Sequence, residues 1–242
     1  MQAFLGEYWP TIVLALILAI IVFGVGYWQL IIAEGAYLDR WIVTLMYDWF
    51  APRYDKVKDF DQGYEAIALA EPVLRHLKTS GLHARNPTSV YVLDVATGTG
   101  RLPAALLFQP RFRGHVIGVD ASARMLNIAK SKLAAFESRV AWQRGDAQHL
   151  KFADDTFDVV GCLEALEFFP NPRTALCELV RVLNPSGLLM VTNRVGPDAW
   201  KLPGRAMTTD KFMGVLHELG LQEIEHAQWM VDYDLVFGVK QD

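Results

Sequence analysis

The stretch Ser89–Gly100, with the sequence SVYVLDVATGTG, decides the fold of this chain. Its first part is a short, mostly apolar run up to Val95, which is typical of a buried parallel strand. The run ends at a glycine-rich turn, and a helix is expected from about Gly100 to Phe108. Because Gly98 and Gly100 have no side chain, the backbone of this turn can approach a ligand closely. The segment therefore predicts the first strand, turn and helix of a ligand-binding sheet.

Strands and helices alternate along the rest of the chain. Further strands are expected near residues 115–120, 139–144, 157–162 and 188–193, and two late strands near 222–228 and 230–239. Helices are expected near 122–135, 171–183 and 208–219, and residues 184–187 are typical of a turn. This order predicts an α/β fold with a doubly wound, mostly parallel, seven-stranded sheet of the Rossmann-like kind.

Three acidic residues stand at or near the ends of the first three strands, namely Asp94, Asp120 and Asp146. Ligands of such sheets bind at the carboxyl ends of the strands, beside the first strand. Asp120 follows Gly100 by 20 positions, as the ribose-binding acid of a dinucleotide site does. Asp146 can accept a hydrogen bond from an exocyclic amino group such as that of adenine. Asp94 lies beside the turn and suits a ligand with an ammonium group.

A dinucleotide fits this turn less well than its two glycines suggest. The third glycine of the dinucleotide motif is absent, because Leu102 and Pro103 occupy that stretch. A carboxylate beside the turn also disfavours phosphates. S-adenosylmethionine combines an amino acid, a ribose and an adenine, and so matches the three acids. A nucleotide-dependent oxidoreductase on the same sheet topology stays open as an alternative.

Four longer motifs accompany these acids. They are VLDVATGTG at 92–100, GVDAS at 118–122, GDAQHLKFADDTFDVV at 145–160 and RVLNPSGLLMVTN at 181–193. With them, the chain resembles class I S-adenosylmethionine-dependent methyltransferases, of the broad type that includes ubiquinone/menaquinone C-methyltransferases. The resemblance covers about Tyr47 to Val239.

The resemblance implies S-adenosylmethionine as the cofactor. It places the methionine end at the glycine-rich turn, the ribose at Asp120, the adenine beside Asp146, and the methyl group near Leu163. The cofactor-binding residues that it implies are Tyr54, Asp94, Ala96, Thr97, Gly98, Thr99, Gly100, Asp120, Ala121, Met125, Asp146, Ala147 and Leu163.

Catalytic groups are harder to predict than binding groups. Methyl transfer needs mainly alignment of the acceptor and exclusion of water, and a phenol or activated-carbon acceptor also benefits from a base. Relatives often place a histidine after the fourth strand, but the stretch Leu163–Pro170 has none. Glu164 and Glu167 are the candidates for a base or for binding a cationic acceptor. Further candidates for the acceptor pocket are Tyr54, Tyr64, Arg194, Trp200 and Tyr233.

The composition argues against two classes of ligand, nucleic acids and metal ions. The 242 residues carry 23 basic and 27 acidic side chains, so the net charge of −4 disfavours nucleic-acid binding by general electrostatics. Two cysteines cannot form a zinc site unaided, and no metal is expected.

The segment Thr11–Ile32, TIVLALILAIIVFGVGYWQLII, has no ionisable charge and is long enough to span a bilayer. A signal peptide would begin with basic residues, which are absent before Thr11, and a buried core helix rarely runs so long without a polar residue. We expect residues 1–34 to be a single-pass transmembrane anchor. Spaced small residues such as Ala15 and Ala19 leave room for other transmembrane helices as partners.

Basic residues follow the anchor, namely Arg40, Arg53, Lys56 and Lys58, and the positive-inside rule therefore places the catalytic domain in the cytosol. Residues 35–80 are expected to form a helical linker that covers the active site, and 81–242 the cofactor-binding domain. A helix is expected from about Ala36 to Phe50, with a strongly apolar face. This helix could lie on the membrane surface or cover the domain.

Together these features favour a membrane-anchored methyltransferase acting on a small, lipid-soluble acceptor. A quinone precursor, a pigment, an isoprenoid or another lipid fits, because no inserted substrate domain is visible and tethering raises the effective concentration at the bilayer. The alternative is a methyltransferase-like accessory subunit of a membrane protein complex.

Overall fold

A seven-stranded sheet forms the centre of the computed structural model, which describes residues 2–81, 87–196 and 199–241. The strands are β1 (Tyr91–Val95), β2 (His115–Asp120), β3 (Val140–Arg144), β4 (Phe157–Cys162), β5 (Leu183–Arg194), β6 (Leu221–Trp229) and β7 (Tyr233–Lys240). Their order is β3-β2-β1-β4-β5-β7-β6. β1 to β5 pair in parallel, and β7 runs antiparallel to both β5 and β6. The predicted mostly parallel, seven-stranded α/β sheet is confirmed.

Helices flank the sheet and precede it. They are α1 (Gln2–Tyr27), α2 (Arg40–Lys58), α3 (Gln62–Glu65), α4 (Glu71–Thr79), α5 (Arg101–Leu107), α6 (Ala123–Lys132), α7 (Pro172–Val182) and α8 (Thr209–Glu218). A π-helical stretch, Ala66–Ala70, joins α3 to α4, so residues 62–79 form one helical run that is locally widened. The Ser122 hydroxyl accepts from the Met125 N–H in the first turn of α6, and Asn171 Oδ1 accepts from the Thr174 N–H in the first turn of α7, as their cap positions predict.

The core has two halves, one on each side of the sheet. In β1, Leu93 and Val95 face one side and Val92 the other, because side chains alternate along a strand. The first side is covered by α7 and α8, and the second by α4 and α5. Parallel strands buried on both faces explain why β1 and β4 are apolar runs without polar alternation. Their carboxyl ends meet at one edge of the sheet.

Two boundaries differ from the sequence prediction. Residues 184–187 do not separate α7 from β5 as a turn. Leu183 already pairs with Phe157, and Leu188 pairs with Val159, so the intervening residues form an irregularity inside β5 with Ser186 in the left-handed region. Helix α2 begins at Arg40 rather than near 36 and continues to Lys58 with Pro52 inside it.

Helix α1 and the π-helical Trp28–Ile32 form one apolar rod. Within Tyr8–Ile32, the most apolar window of 18 residues has a mean hydropathy of 2.5, and none of this window is buried against the rest of the chain. By length and composition it is able to cross a membrane. The following segment folds back on the domain, where Ala33 and Ala36 are buried against Leu202.

Replacing Gly100 with alanine should destabilise the domain by about 1–3 kcal/mol. Gly100 has a φ of +81°, and an added Cβ would lie 3.0 Å from the Trp142 ring and 3.3 Å from the Ala129 Cβ. The control is Gly214→Ala in α8, where nothing lies within 4 Å and alanine favours a helix by about 0.5–1 kcal/mol. Urea unfolding of both variants measures the difference. Equal stabilities for the two variants would contradict the predicted crowding.

Candidate functional site

A cavity opens at the carboxyl ends of β1 to β4, beneath helix α2, and its empty volume, counted out into open solvent, is about 870 Å³. The strand ends supply the floor and one wall, and α2 supplies the cover. The lining residues are Arg40, Val43, Thr44, Tyr47, Tyr54, Val95, Ala96, Gly98, Val119, Asp120, Ala121, Ser122, Met125, Gly145, Asp146, Ala147, Leu163, Glu164, Ala165, Phe168, Phe169 and Pro170.

The glycine-rich turn is tied directly to the end of β2. The Gly98 N–H donates to Asp120 Oδ2 at 2.8 Å, and the Ser122 N–H donates to Oδ1 at 2.8 Å. Gly98 has a φ of +52° and Ala96, two residues earlier, a φ of +56°. An alanine in the left-handed region is a sparsely populated conformation that the surroundings must hold. The two hydrogen bonds fix the Asp120 carboxylate at the cavity wall.

Two of the predicted acids are buried at this point. Burial raises the pKa of Asp94 to about 7, although the Thr97 hydroxyl donates to it at 2.5 Å. Burial also raises the pKa of Asp120, while the Ser122 and Gly98 N–H groups act in the opposite direction. Two acids in one low-dielectric region favour a ligand that brings a positive charge or hydroxyl donors.

Asp146, the third predicted acid, lies at the far side of the cavity after β3. The Arg40 guanidinium forms an ion pair with Asp146 Oδ2, and the Gln148 N–H donates to Oδ1 at 3.1 Å. Arg40 therefore stands over the mouth of the cavity. A ligand that donates to Asp146 must share this carboxylate with Arg40 or move the guanidinium aside.

The structure brings most of the predicted cofactor residues to one cavity. The residues that line it are Tyr54, Ala96, Gly98, Asp120, Ala121, Met125, Asp146, Ala147 and Leu163. Asp94, Thr97, Thr99 and Gly100 lie behind this wall. The Thr97 hydroxyl donates a hydrogen bond to Asp94, and the Thr99 hydroxyl donates one to Asp55. Gly100 lies beside the Trp142 ring.

Glu164 lines the cavity after β4, where it is held by two cations. Its Oε1 pairs with Arg101 at 2.6 Å and its Oε2 with Lys58 at 2.5 Å. Arg101 also pairs with Glu65 at 2.5 Å and lies 4.2 Å from the Trp229 ring centroid. This network joins α2, α3 and α5 to the strand ends. Glu164 has a φ of +49°, a strained conformation of the kind that collects at functional sites.

Glu167 is buried behind the cavity wall. The Tyr233 hydroxyl donates to Glu167 Oε1 at 2.5 Å, and Arg194 lies 3.6 Å from the same oxygen. Glu167 Oε2 and Arg194 Nε have no hydrogen-bond partner within the described part of the chain. Burial raises the pKa of Glu167, against the effect of the Tyr233 hydrogen bond. Of the other acceptor-pocket candidates, Trp200 and Tyr64 are exposed on the surface.

The cover contributes groups that sequence reasoning missed. Arg40, Thr44 and Tyr47 line the cavity from α2, and Arg101 anchors Glu164. The predicted apolar face of this helix could have placed Tyr47 against the domain. Nothing in the sequence pattern indicated Arg40 or Arg101, because an arginine in a helix is ordinarily exposed.

Comparisons with known proteins agree with this architecture. Residues 93–191 match the family described as "Methyltransferase domain". A demethylmenaquinone methyltransferase of Lactiplantibacillus plantarum is 34% identical over 156 residues, which are 63% of this chain and 62% of that protein. This chain thus spans less than two thirds of that relative's length.

Solved structures show the same fold. The YcgJ protein of Bacillus subtilis has a TM-score of 0.54 at 19% identity, covering 69% of this chain and 99% of that one. A Haemonchus contortus phosphoethanolamine N-methyltransferase, solved in complex with S-adenosyl-L-methionine, has a TM-score of 0.55 at 15% identity, covering 69% and 52%. The domain therefore has the class I methyltransferase fold. The resemblance expected from the sequence motifs is confirmed.

Asp94→Asn should flatten the pH dependence of stability. In the folded state, burial raises the pKa of Asp94 to about 7, whereas the ordinary pKa of an aspartate is 3.8. Between these values the folded state binds more protons than the unfolded state, so stability falls as pH rises, by at most about 1.4 kcal/mol per pH unit. Urea unfolding of both proteins at several pH values from 4 to 8 measures this contribution. Parallel curves for wild type and variant would contradict it.

Proposed function

We propose that the chain is a membrane-anchored methyltransferase that moves a methyl group from S-adenosylmethionine to a small, lipid-soluble acceptor such as a quinone precursor. The observation that carries the proposal is a single cavity lined by Asp120, Asp146 and the Gly98 turn, with Asp94 buried behind its wall. The similarity to a relative named a demethylmenaquinone methyltransferase supports it.

The cofactor fits the cavity by its polar groups. Asp120 keeps oxygen lone pairs for the ribose hydroxyls, in addition to those used by the Gly98 and Ser122 N–H groups. Met125 and Ala147 give the adenine an apolar seat beside Asp146. The raised pKa of Asp94 suits a position near the ammonium group, because a bound cation favours ionisation of the carboxyl. A pyrophosphate would instead meet the Asp120 carboxylate in the cavity wall.

When bound, S-adenosylmethionine supplies an electrophilic methyl group on a sulfonium sulfur. The residues of this chain bind and orient the two reactants, and they exclude water. Leu163 and Phe168 make the β4 side of the cavity apolar, and Tyr47 and Tyr54 close it from α2. Burial raises the pKa of both tyrosines, so their phenols stay neutral. Of the two candidate glutamates, Glu164 faces the cavity and is the proposed catalytic group. Glu167 lies behind the wall, where its contacts with Tyr233 and Arg194 stabilise the fold.

The apolar segment that precedes the cover supports a lipid-soluble acceptor. The apolar rod Tyr8–Ile32 is proposed as a single-pass anchor, with residues 35–80 as linker and cover and 81–242 as the catalytic domain. The basic residues after the rod favour a cytosolic domain. Two of them, Arg40 and Lys58, also pair with Asp146 and Glu164. The connection between β5 and α8 has 14 residues, too few for an inserted domain that would bind a folded protein acceptor.

Asp120→Ala should weaken binding of S-adenosylmethionine by about 1–3 kcal/mol, because two ribose hydrogen bonds are lost. The matched control is Asp210→Ala, an exposed acid in the first turn of α8. Calorimetric titration of the full chain in detergent gives both affinities. Wild-type affinity in the Asp120 variant would mean that the ribose lies elsewhere.

Transfer itself is tested with methyl-labelled S-adenosylmethionine and an extract of the native membrane. Label is expected in a small molecule that partitions into organic solvent. Label found only in protein, or no label despite cofactor binding, would contradict the acceptor class. No cofactor binding at millimolar concentration would favour an accessory subunit.

The same assay tests the two glutamates. Glu164→Gln should lower turnover while cofactor affinity is kept. Glu167→Gln should lower the melting temperature without a comparable loss of turnover.

A further inference from the structure

Helix α2 has two faces with opposite surroundings. Val43 and Ala51 are buried against the domain, and Tyr47 and Tyr54 line the cavity. The outward face carries large apolar side chains that contact little of the protein. Trp41 is 66% exposed, Leu45 60% and Trp49 70%. We call Trp41, Leu45 and Trp49 the outer ridge.

The outer ridge is one continuous stripe. Its residues follow at steps of four, so at about 100° per residue they lie within roughly 80° of arc. Exposed Pro52 and Lys56 fall within the same arc. The buried side chains of α2 lie on the opposite side of the helix. Two exposed tryptophans and a leucine in a row form a patch that a soluble surface rarely leaves uncovered.

Basic side chains flank the outer ridge. The Arg53 guanidinium lies 5.5 Å from the Trp49 ring centroid, and Lys56 is exposed one turn further. At the other end, Trp41 and Leu45 border an open groove. The ionisable residues of this groove are the basic Arg40, Arg144 and Lys151, the acidic Asp48 and Asp146, and His149. Apolar residues with Trp, rimmed by Lys and Arg, are typical of helices that lie in a membrane interface.

The outer ridge also lies next to the proposed anchor in the chain. The apolar rod ends at Ile32, and α2 begins at Arg40. The connecting segment is packed onto the domain by Ala33 and Ala36 against Leu202. Trp200, two residues before Leu202, is 77% exposed.

We infer that the outer ridge of α2 lies in the headgroup region of a bilayer with anionic lipids, so that α2 is both the cover of the cavity and a membrane-contacting helix. The occupant is the bilayer because the ridge joins apolar and basic side chains beside a segment able to span it. A lipid acceptor then has only the thickness of α2 between the interface and the cavity. This inference does not depend on methyl transfer.

The test uses the full chain reconstituted in phosphatidylcholine vesicles with and without phosphatidylglycerol. In a Cys177→Ser background, Leu45→Cys carries a nitroxide label on the outer ridge, and Lys211→Cys on α8 is the matched control. The remaining Cys162 is buried. Collisions with oxygen and with a water-soluble nickel complex report depth. Calorimetric binding of S-adenosylmethionine by the same samples separates failure of this inference from failure of the proposed function.

The label at position 45 is expected to collide more often with oxygen than with the nickel complex and to lie about 5–10 Å inside the interface. It should lie more deeply when the anionic lipid is present. The label at position 211 should stay exposed to water. Exchanging Arg53 and Lys56 for glutamine should reduce the effect of the anionic lipid. Equal water access at both positions would overturn the inference. Protection at position 45 that persists in detergent and grows with protein concentration would also overturn it, in favour of a second copy of this chain.

Discussion

The hydrogen bond from the Gly98 N–H to Asp120 holds the site together. It joins the turn after β1 to the end of β2, over a distance of 2.8 Å. The parallel pairing of β1 with β2 brings the two strand ends to the same edge of the sheet. Without a left-handed turn at Gly98, the N–H would not point at the carboxylate. This contact fixes the Asp120 carboxylate in the cavity wall, where it favours ligands with hydroxyl or cationic groups.

The cover depends on a second set of contacts, made by buried charges. Arg101 links Glu65 of α3 to Glu164 after β4, and Lys58 of α2 reaches the same glutamate. Removing one partner of a buried pair typically costs about 3–5 kcal/mol, because the other charge is left uncompensated. Asp48 of α2 adds a hydrogen bond from the Ser122 hydroxyl at 2.5 Å. The cover is therefore a fixed part of the site and not a loosely tethered helix.

Sequence reasoning predicted the sheet because β1 and β4 are mostly apolar runs, and because α6, α7 and α8 begin after the capping residues Ser122, Asn171 and Thr208. It placed Asp120 and Asp146 correctly at strand ends, since strand ends are local features. It could not predict that Arg40 pairs with Asp146 or that Arg101 is buried, because these contacts join residues more than 35 positions apart. The irregularity around Ser186 was also hidden, since Asn-Pro-Ser-Gly is equally typical of a turn between elements.

The most direct measurement of the central claim is calorimetric titration of the detergent-solubilised full chain with S-adenosylmethionine and, separately, with NAD. The account predicts saturable binding of S-adenosylmethionine at one site per chain and no heat with NAD. A folded protein that binds NAD, or that gives no heat with S-adenosylmethionine at millimolar concentration, would contradict it.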